Sequence, residues 1–537
     1  MPDAIVIGAG PNGLVAANML ADHGLSVVVL EAEPDPGGAV RSGELTLPGF
    51  VHDRFSSFYP LAAASPSIVD LKLEEHGLRW RRPPLPVAHP ARDGSVAYIG
   101  GTVEETMACL EGFGAGDGEA WRRLMDRWTT IDDALLQALA TPFPPALAGL
   151  KIARRLGYRG VVNLARFGLL PLRRLADEEF AGAGAARLVG GHALHADFSP
   201  EQPGSSMFGW VLCGLAQTVG FPVPEGGSGR LTDALVRRLE SRGGTVRCGN
   251  RVARIEVRRG RAAGVTLEDG ERVSAGRAIL ADVDAPQLYL ELLDEAHVPP
   301  PVRRALQRFQ FGFSTFKLDF ALDGPIPWLA PDTGRAGTVH IAEDVDALTR
   351  AMTDIALRQV PAEPFLVAGQ YAAADPSRMP PGKEIFWAYT HVPQHVTGDA
   401  GGDGLTGDWH GEERERFADR LQAQIEAVAP GFGDRVLARH ITAPHELEAA
   451  DANLKGGALN GGTAQLHQEL LFRPIPGLGR SETTVAGLYL ASASAWPSGG
   501  VHGACGANAA RSALREGKLI QRGAAALTRR LSGEDAE

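Results

Sequence analysis

A chain of 537 residues with 44% apolar side chains, 22% charged side chains and 66 glycines is long enough for more than one domain and reads as globular and turn-rich. Its net charge of −11 argues against the broad basic surface of a nucleic-acid binder, so no nucleic-acid partner is expected. The four cysteines, Cys109, Cys213, Cys248 and Cys505, are too dispersed for a redox pair or a metal-ligand spacing, and are expected as buried thiols in a reducing compartment.

In chain order, Ala4 to Ile7 predicts a strand, Gly8 to Gly13 a turn, and the following segment a helix ending near Gly24, before a second strand at Val27 to Leu30. The opening Met1-Pro2-Asp3 has no basic stretch, and the apolar run after it is broken at once by glycine. It is therefore expected as a strand and turn rather than a signal peptide. No uninterrupted apolar run reaches the roughly 18–20 residues that span a bilayer, which makes the cytoplasm the expected location.

The three glycines of the turn divide their work. Gly8 permits the tight bend, Gly10 lets backbone approach a pyrophosphate, and Gly13 allows close helix–strand packing. Ala9, Pro11 and Asn12 complete the turn at a helix N-terminus, whose unpaired N–H groups and positive dipole end favour phosphate. Glu31, at the end of the second strand, is placed to accept the hydroxyls of an adenosine ribose, with Ala32 beside it. Gly37, Gly38 and Arg41 then bring backbone and a cation to the pyrophosphate a second time.

The stretch 141–175 carries Lys151, Arg154, Arg155, Arg159, Arg166, Arg173 and Arg174 with no acidic residue, interleaved with apolar side chains. This composition suits the surface of an anionic membrane, or a helical hairpin packed on the body with solvated arginines. Further on, His192 and His195 with Asp197 invite a metal reading, but they lack a third convincing ligand and no metal is expected. The region Gly226 to Asp284 predicts a glycine turn, a helix over Leu231 to Arg242, strands at Val252 to Val257 and Arg261 to Leu267, a hairpin turn at Asp269-Gly270, and a strand at Ala278 to Ala281. Ser314 to Leu322 predicts a strand carrying Lys317. Gly487 onward predicts strand, glycine-rich turn and helix once more, with Gly499, Gly500, Val501, His502 and Gly503 in the turn. No other glycine motif has the strand and helix context of a second dinucleotide site, so the electrons are expected to come from the organic substrate.

The segment from Gly8 to Arg41 resembles the glutathione-reductase-type FAD family, in its amine oxidase and phytoene desaturase branch. Pro48-Gly49-Phe50, Leu73 to Gly77 and Pro224 to Leu235 are similar to the subgroup of pyridine nucleotide-disulfide oxidoreductase domain-containing protein 2. The resemblance runs the length of the chain. It implies an α/β fold with a discontinuous Rossmann-type FAD-binding domain from residues 1–75, 225–285 and 475–525. It also implies an inserted mixed α+β substrate or cap domain from 76–224 and 286–474, and the polar tail 530–537 is expected to be disordered. Val252 is the residue expected to touch the adenine, and Gly499 to Val501 lie in the family's C-terminal flavin motif. Lys317 resembles the amine-oxidase lysine that holds a water near the flavin, and His502 is placed to bond the ring or take a proton. His52 and Asp53 are expected to run along the flavin. Disulfide chemistry is not supported, because no cysteine pair exists.

The chain departs from its relatives at Ala491 to Pro497, where Trp496 stands in place of a histidine. The implied activity is hydride removal from a small apolar, isoprenoid- or lipid-like substrate, with oxygen or a quinone reoxidising FAD and peripheral contact with the inner face of the membrane through 141–175. Two other readings stand beside it: a flavin amine oxidase with an aromatic cage, and an FAD-binding regulatory protein with little turnover.

Overall fold

The computed structural model describes residues 1–516; the tail at 530–537 lies outside the described residues, as does the end of the segment 475–525. Four short apolar runs, Ala4–Ile7, Val27–Leu30, Ala278–Ala281 and Leu488–Leu490, are buried along their whole length. Continuous burial on both faces is the mark of a parallel sheet covered on each side. The sheet runs Leu488–Leu490, Ala278–Ala281, Ala4–Ile7, Val27–Leu30, Thr245–Arg247, all parallel. Ala4, Val6, Val27, Val29 and Leu280 face the helices Pro11–Asp22 and Gly229–Ser241. Ile5, Ile7, Val28, Leu30 and Ile279 face an antiparallel meander of Val252–Arg258, Arg261–Leu267 and Arg272–Ser274. The helix Pro11–Asp22 opens with proline in its first turn and closes on His23 and Gly24, the latter at φ 78°. Both ends use the residue that each terminus favours.

A second sheet of seven strands is assembled from residues far apart in the chain. Its order is Val436–Thr442, Ser314–Leu322, Glu384–Val392, Leu366–Gln370, Ala336–Ile341, Leu85–Pro90, Val96–Ile99, antiparallel except where Ala336–Ile341 meets Leu85–Pro90. One face, with Phe316, Leu318, Phe320 and Phe386, packs on Phe417, Leu421 and Ile425 of the helix Gly411–Val428. The opposite face carries Thr315, Lys317 and Asp319 beside His391, Tyr389 and Trp387, because side chains alternate along a strand. Helices Asp117–Leu139, Ala183–His195 and Ser205–Thr218 close over the cavity on that side.

The stretch 141–175 is helical over Ala146–Leu169, where Gly157 at φ 63° and ψ 178° breaks it into two segments. Its arginines are less free than a solvated face implies. Lys151 and Arg155 pair with Asp133, Arg166 and Arg174 with Glu178, and Arg173 with Glu201 and Asp346. Several apolar side chains are exposed beside them: Leu147 is 82% and Tyr158 86% accessible, with Leu150, Val161, Val162 and Leu169 also exposed. Among the described residues no helix is long and apolar enough to cross a membrane.

Candidate active site

One continuous cavity of about 720 Å³ runs from the glycine turn at the C-terminal edge of the parallel sheet to the polar face of the seven-stranded sheet. At the first end its wall is backbone. Gly8 at φ 92° has room for no side chain, since a Cβ there would stand 2.8 Å from the Asp282 carbonyl oxygen. A Cβ on Gly13 would stand 2.2 Å from the Gly8 carbonyl oxygen. Gly38, at φ 52°, sits against Gly10, where a Cβ would come within 3.1 Å of the Gly10 Cα. No side chain caps the helix Pro11–Asp22, so its first turn is left open to an anion.

Gly8, Gly10, Pro11, Asn12, Glu31, Ala32, Gly38, Arg41, Val252, Gly499, Gly500, Val501 and His502 all line this cavity. Ala9, Gly13 and Gly37 stand behind its wall and hold it in shape. The Ala9 N–H donates to Glu31 Oε2 at 2.6 Å, and the Gly13 N–H to Asp282 Oδ2 at 2.8 Å. The Gly37 N–H donates to the Ala9 carbonyl at 2.9 Å. The Arg41 guanidinium donates to the carbonyls of Gly38 and Ala450 and lies 5.1 Å from the Phe55 ring centroid. Three buried oxygens along the cavity, Asn12 Oδ1, Asp284 Oδ2 and Gln287 Oε1, have no partner in the protein. Buried polar atoms are rarely left so. A cradle of glycine backbone, an open helix terminus and orphaned oxygens together fit a bound dinucleotide.

Asp282, which follows the strand Ala278–Ala281, was not expected in this wall. Burial pushes its carboxyl up to about 8, the nearby Asp451 and Glu31 add to the rise, and the Gly13 N–H opposes it. Burial likewise raises Asp284 to about 6 and pushes Asp451 upward. The place of Asp282, at the C-terminal end of a parallel strand beside the glycine turn, is where such sheets bind ligands, and that was the signal available in the sequence.

At the other end the wall is built from side chains. Lys317, inside the strand expected for it, is buried and lines the cavity. Its ammonium group donates to both oxygens of Asp319 and to the Asp53 carbonyl at 3.1 Å. His52 and Asp53 lie behind the wall rather than along it; residues 55–61 line the cavity instead. His52 Nδ1 is 3.5 Å from Asp319. Asp53 is fully buried and held by Arg378 through both oxygens at 2.8 and 3.0 Å, by the Tyr371 hydroxyl at 2.7 Å and by the Ser228 N–H at 2.8 Å. Burial alone would raise its carboxyl, but the Arg378 guanidinium and these donors hold it below the ordinary value. Removing one partner from such a buried pair is costly, about 3–5 kcal/mol, so the cluster fixes Asp53, whose carbonyl accepts from Lys317.

His502 has neither ring nitrogen to spare. Its Nδ1 accepts from the Ala504 N–H at 3.0 Å and its Nε2 lies 3.2 Å from the Ser498 carbonyl, while burial lowers its basicity to about 4. It clips the glycine turn together, a role that residue type and turn position could not separate from proton transfer. His192 and His195 part company as well. The first bonds the Leu188 carbonyl inside its helix, whereas the second lines the cavity and meets His340 at 3.3 Å. Among the described residues no group of three ligands is placed to hold a metal. Trp496 lines the cavity, with its ring 5.3 Å from Phe143 and its indole N–H donating to the Thr141 carbonyl at 3.0 Å.

The sequence matches the model of the flavin containing amine oxidoreductase family over residues 12–514. The chain belongs to that family. It is 30% identical to mouse pyridine nucleotide-disulfide oxidoreductase domain-containing protein 2, across 96% of this chain and 93% of the relative. It is 27% identical to the lycopene-forming phytoene desaturase of Pseudescherichia vulneris, across 94% and 96%. In fold it is similar to cyclohexylamine oxidase from Brevibacterium oxydans, with a TM-score of 0.58 at 17% identity, covering 96% of this chain and 99% of that one. The protein is thus an FAD-dependent oxidoreductase. When bound, FAD supplies the acceptor for a hydride; the protein supplies orientation and a dry chamber.

Proposed function

We propose that this enzyme dehydrogenates an apolar, isoprenoid- or lipid-like substrate, and that oxygen or a quinone reoxidises the flavin. One observation carries the reading: beyond the nucleotide end, the same cavity is walled by Leu135, Leu139, Met207, Phe208, Val211 and Leu212, a chamber that favours a greasy substrate. The relative that forms lycopene supports it. The test is anaerobic mixing of the FAD-loaded protein with a lipid extract and, separately, with a polar metabolite extract. Flavin bleaching by the lipid fraction alone is the expected result, and bleaching by the polar fraction alone would overturn it.

Peripheral membrane contact belongs to the same reading. Leu147, Leu150, Tyr158, Val161 and Val162 are exposed, and Gly168 of the same kinked helix lines the cavity, so lipid and chamber meet on one element. Arg154 and Arg159 make no ion pair among the described residues, unlike their neighbours. Co-sedimentation with anionic liposomes at low salt is expected to fall when Leu147 and Tyr158 become Asp, and to fall less when Arg154 and Arg159 become Ala.

A second reading, amine oxidation, is favoured by Trp387 and Tyr389. Both line the cavity, their rings stacked with centroids 6.1 Å apart and planes 8° from parallel. Hydrogen peroxide release on a panel of amines tests it.

A further inference from the structure

Thr315 and His391 sit directly opposite each other on adjacent antiparallel strands, in the row that continues with Lys317 opposite Tyr389 and Asp319 opposite Trp387. Residues so paired hold their Cβ atoms roughly 4.5–5.5 Å apart on one face of the sheet. Both line the cavity, at 2% and 5% exposure. In this row Thr315 Oγ1 and His391 Nδ1 have no hydrogen-bond partner in the protein, and neither has Trp387 Nε1 two pairs further along. Lys317 and Asp319, two and four positions further along the strand, are by contrast spent on each other.

His391 is not left to drift. Its Nε2 stands 3.0 Å from Asp197 Oδ1, off the line of an ideal hydrogen bond. Asp197 is itself fixed, since its Oδ2 accepts from Asn460 Nδ2 at 2.8 Å. Its backbone, at φ 66°, occupies the left-handed region that a non-glycine residue enters at a cost, and such positions gather at functional sites. A carboxylate beside Nε2 favours the tautomer with its proton there, which makes Nδ1 an acceptor. The cavity therefore presents one free nitrogen acceptor and one free hydroxyl, side by side, with Phe313 and Tyr389 rings 5.9 and 5.7 Å from the imidazole.

We propose that Thr315 and His391, the latter positioned by Asp197, form a binding site for the hydroxyl group of an otherwise apolar alcohol. This rests on the apolar-substrate reading above and names the class within it. A hydroxyl donates to His391 Nδ1 and accepts from the Thr315 Oγ–H, satisfying both orphaned atoms at once. A hydrocarbon satisfies neither. A carboxylate is repelled by Asp197, and an ammonium brings three donors to a single free nitrogen acceptor and has no lone pair with which to accept from the Thr315 hydroxyl.

The test uses the FAD-loaded full chain and four probes of equal length: decane, 1-decanol, decylamine and decanoate. Binding is read from the fluorescence of Trp387 and Trp496, which line the cavity, with calorimetry as a second measure. The expected result is 1-decanol at least about tenfold tighter than decane, close to 1.4 kcal/mol, with decylamine and decanoate weaker than the alcohol. Thr315→Val, a change of nearly equal shape, and His391→Phe should each bring the alcohol down to the hydrocarbon while leaving decane binding and flavin content unchanged. Equal binding of decane and 1-decanol would overturn the hydroxyl site and leave the apolar chamber standing. Tightest binding of decylamine would overturn it in favour of an ammonium site. No binding of any probe would overturn both readings. A Thr315→Val protein that keeps its flavin and its preference for the alcohol would also overturn the assignment.

Discussion

The two ends of the cavity are made of different material. The nucleotide end is backbone: glycines pressed against carbonyl oxygens and an uncapped helix. The substrate end is a row of side chains, Thr315, Lys317, Asp319, His391, Tyr389 and Trp387, projected from two paired strands. An end built of backbone tolerates no added atom, because peptide groups cannot move aside. An end built of side chains can change its chemistry one residue at a time while the frame stays put.

The sharpest way to break this contrast is at Gly13. Gly13→Ala places a Cβ 2.2 Å from a rigid carbonyl oxygen. The expected outcome is loss of bound flavin and destabilisation beyond about 3 kcal/mol, since no flexible neighbour can yield; visible flavin absorbance and denaturant unfolding measure it. A variant that keeps FAD would remove the distinction between the two ends.

Asp282 tests a titrating side chain that intrudes into the backbone end. Its folded carboxyl holds a proton up to about pH 8, against an ordinary value of 3.8. A raised folded value means that the stabilising contribution is complete below the unfolded value and is lost as pH rises through the folded one. The melting temperature of the wild-type protein is therefore expected to decline between about pH 4 and about pH 8 more steeply than that of Asp282→Asn, which keeps an acceptor for the Gly13 N–H but cannot ionise. A gap of at least about 2 °C at the alkaline end is the expected scale; parallel pH profiles would refute it.

The smallest effect is expected at Trp496, where the side-chain end meets the segment leading into the helix Ala146–Leu169. Trp496→Phe keeps the ring against Phe143 and removes only the bond to the Thr141 carbonyl, a loss of about 1 kcal/mol. Faster amide exchange over residues 141–169 with flavin content unchanged is the measurement. An unaltered exchange pattern would show that this helix does not depend on the tether.

The same contrast explains what could be read in the sequence. The glycine turn, Glu31 and the four apolar runs of the parallel sheet announce themselves because backbone geometry admits few residue types: a turn at φ 92° calls for glycine, and a strand buried on both faces calls for unbroken apolar residues. The substrate end was hidden because its partners lie far apart in the chain, as Thr315 and His391 do, and only the fold makes them neighbours. One local clue existed. Thr315-Phe-Lys-Leu-Asp-Phe320 alternates polar with apolar, so a strand there had to turn one face toward something other than a greasy core. His502 and the pair His52 and Asp53 were found by position in a motif, but which way each side chain turns depended on neighbours that no motif records.

That alternation also limits how this pocket can diverge among descendants of the chain. Phe316, Leu318 and Phe320 occupy the core on the reverse of the strand, so deleting or inserting one residue would exchange the entire polar row for an aromatic one and bury three polar groups in the process. New substrate preferences are therefore reached by replacing individual residues within a fixed reading frame of the strand, and the length of Ser314–Leu322 should be far less variable among kin than the identities at its two cavity-lining positions, Thr315 and Lys317.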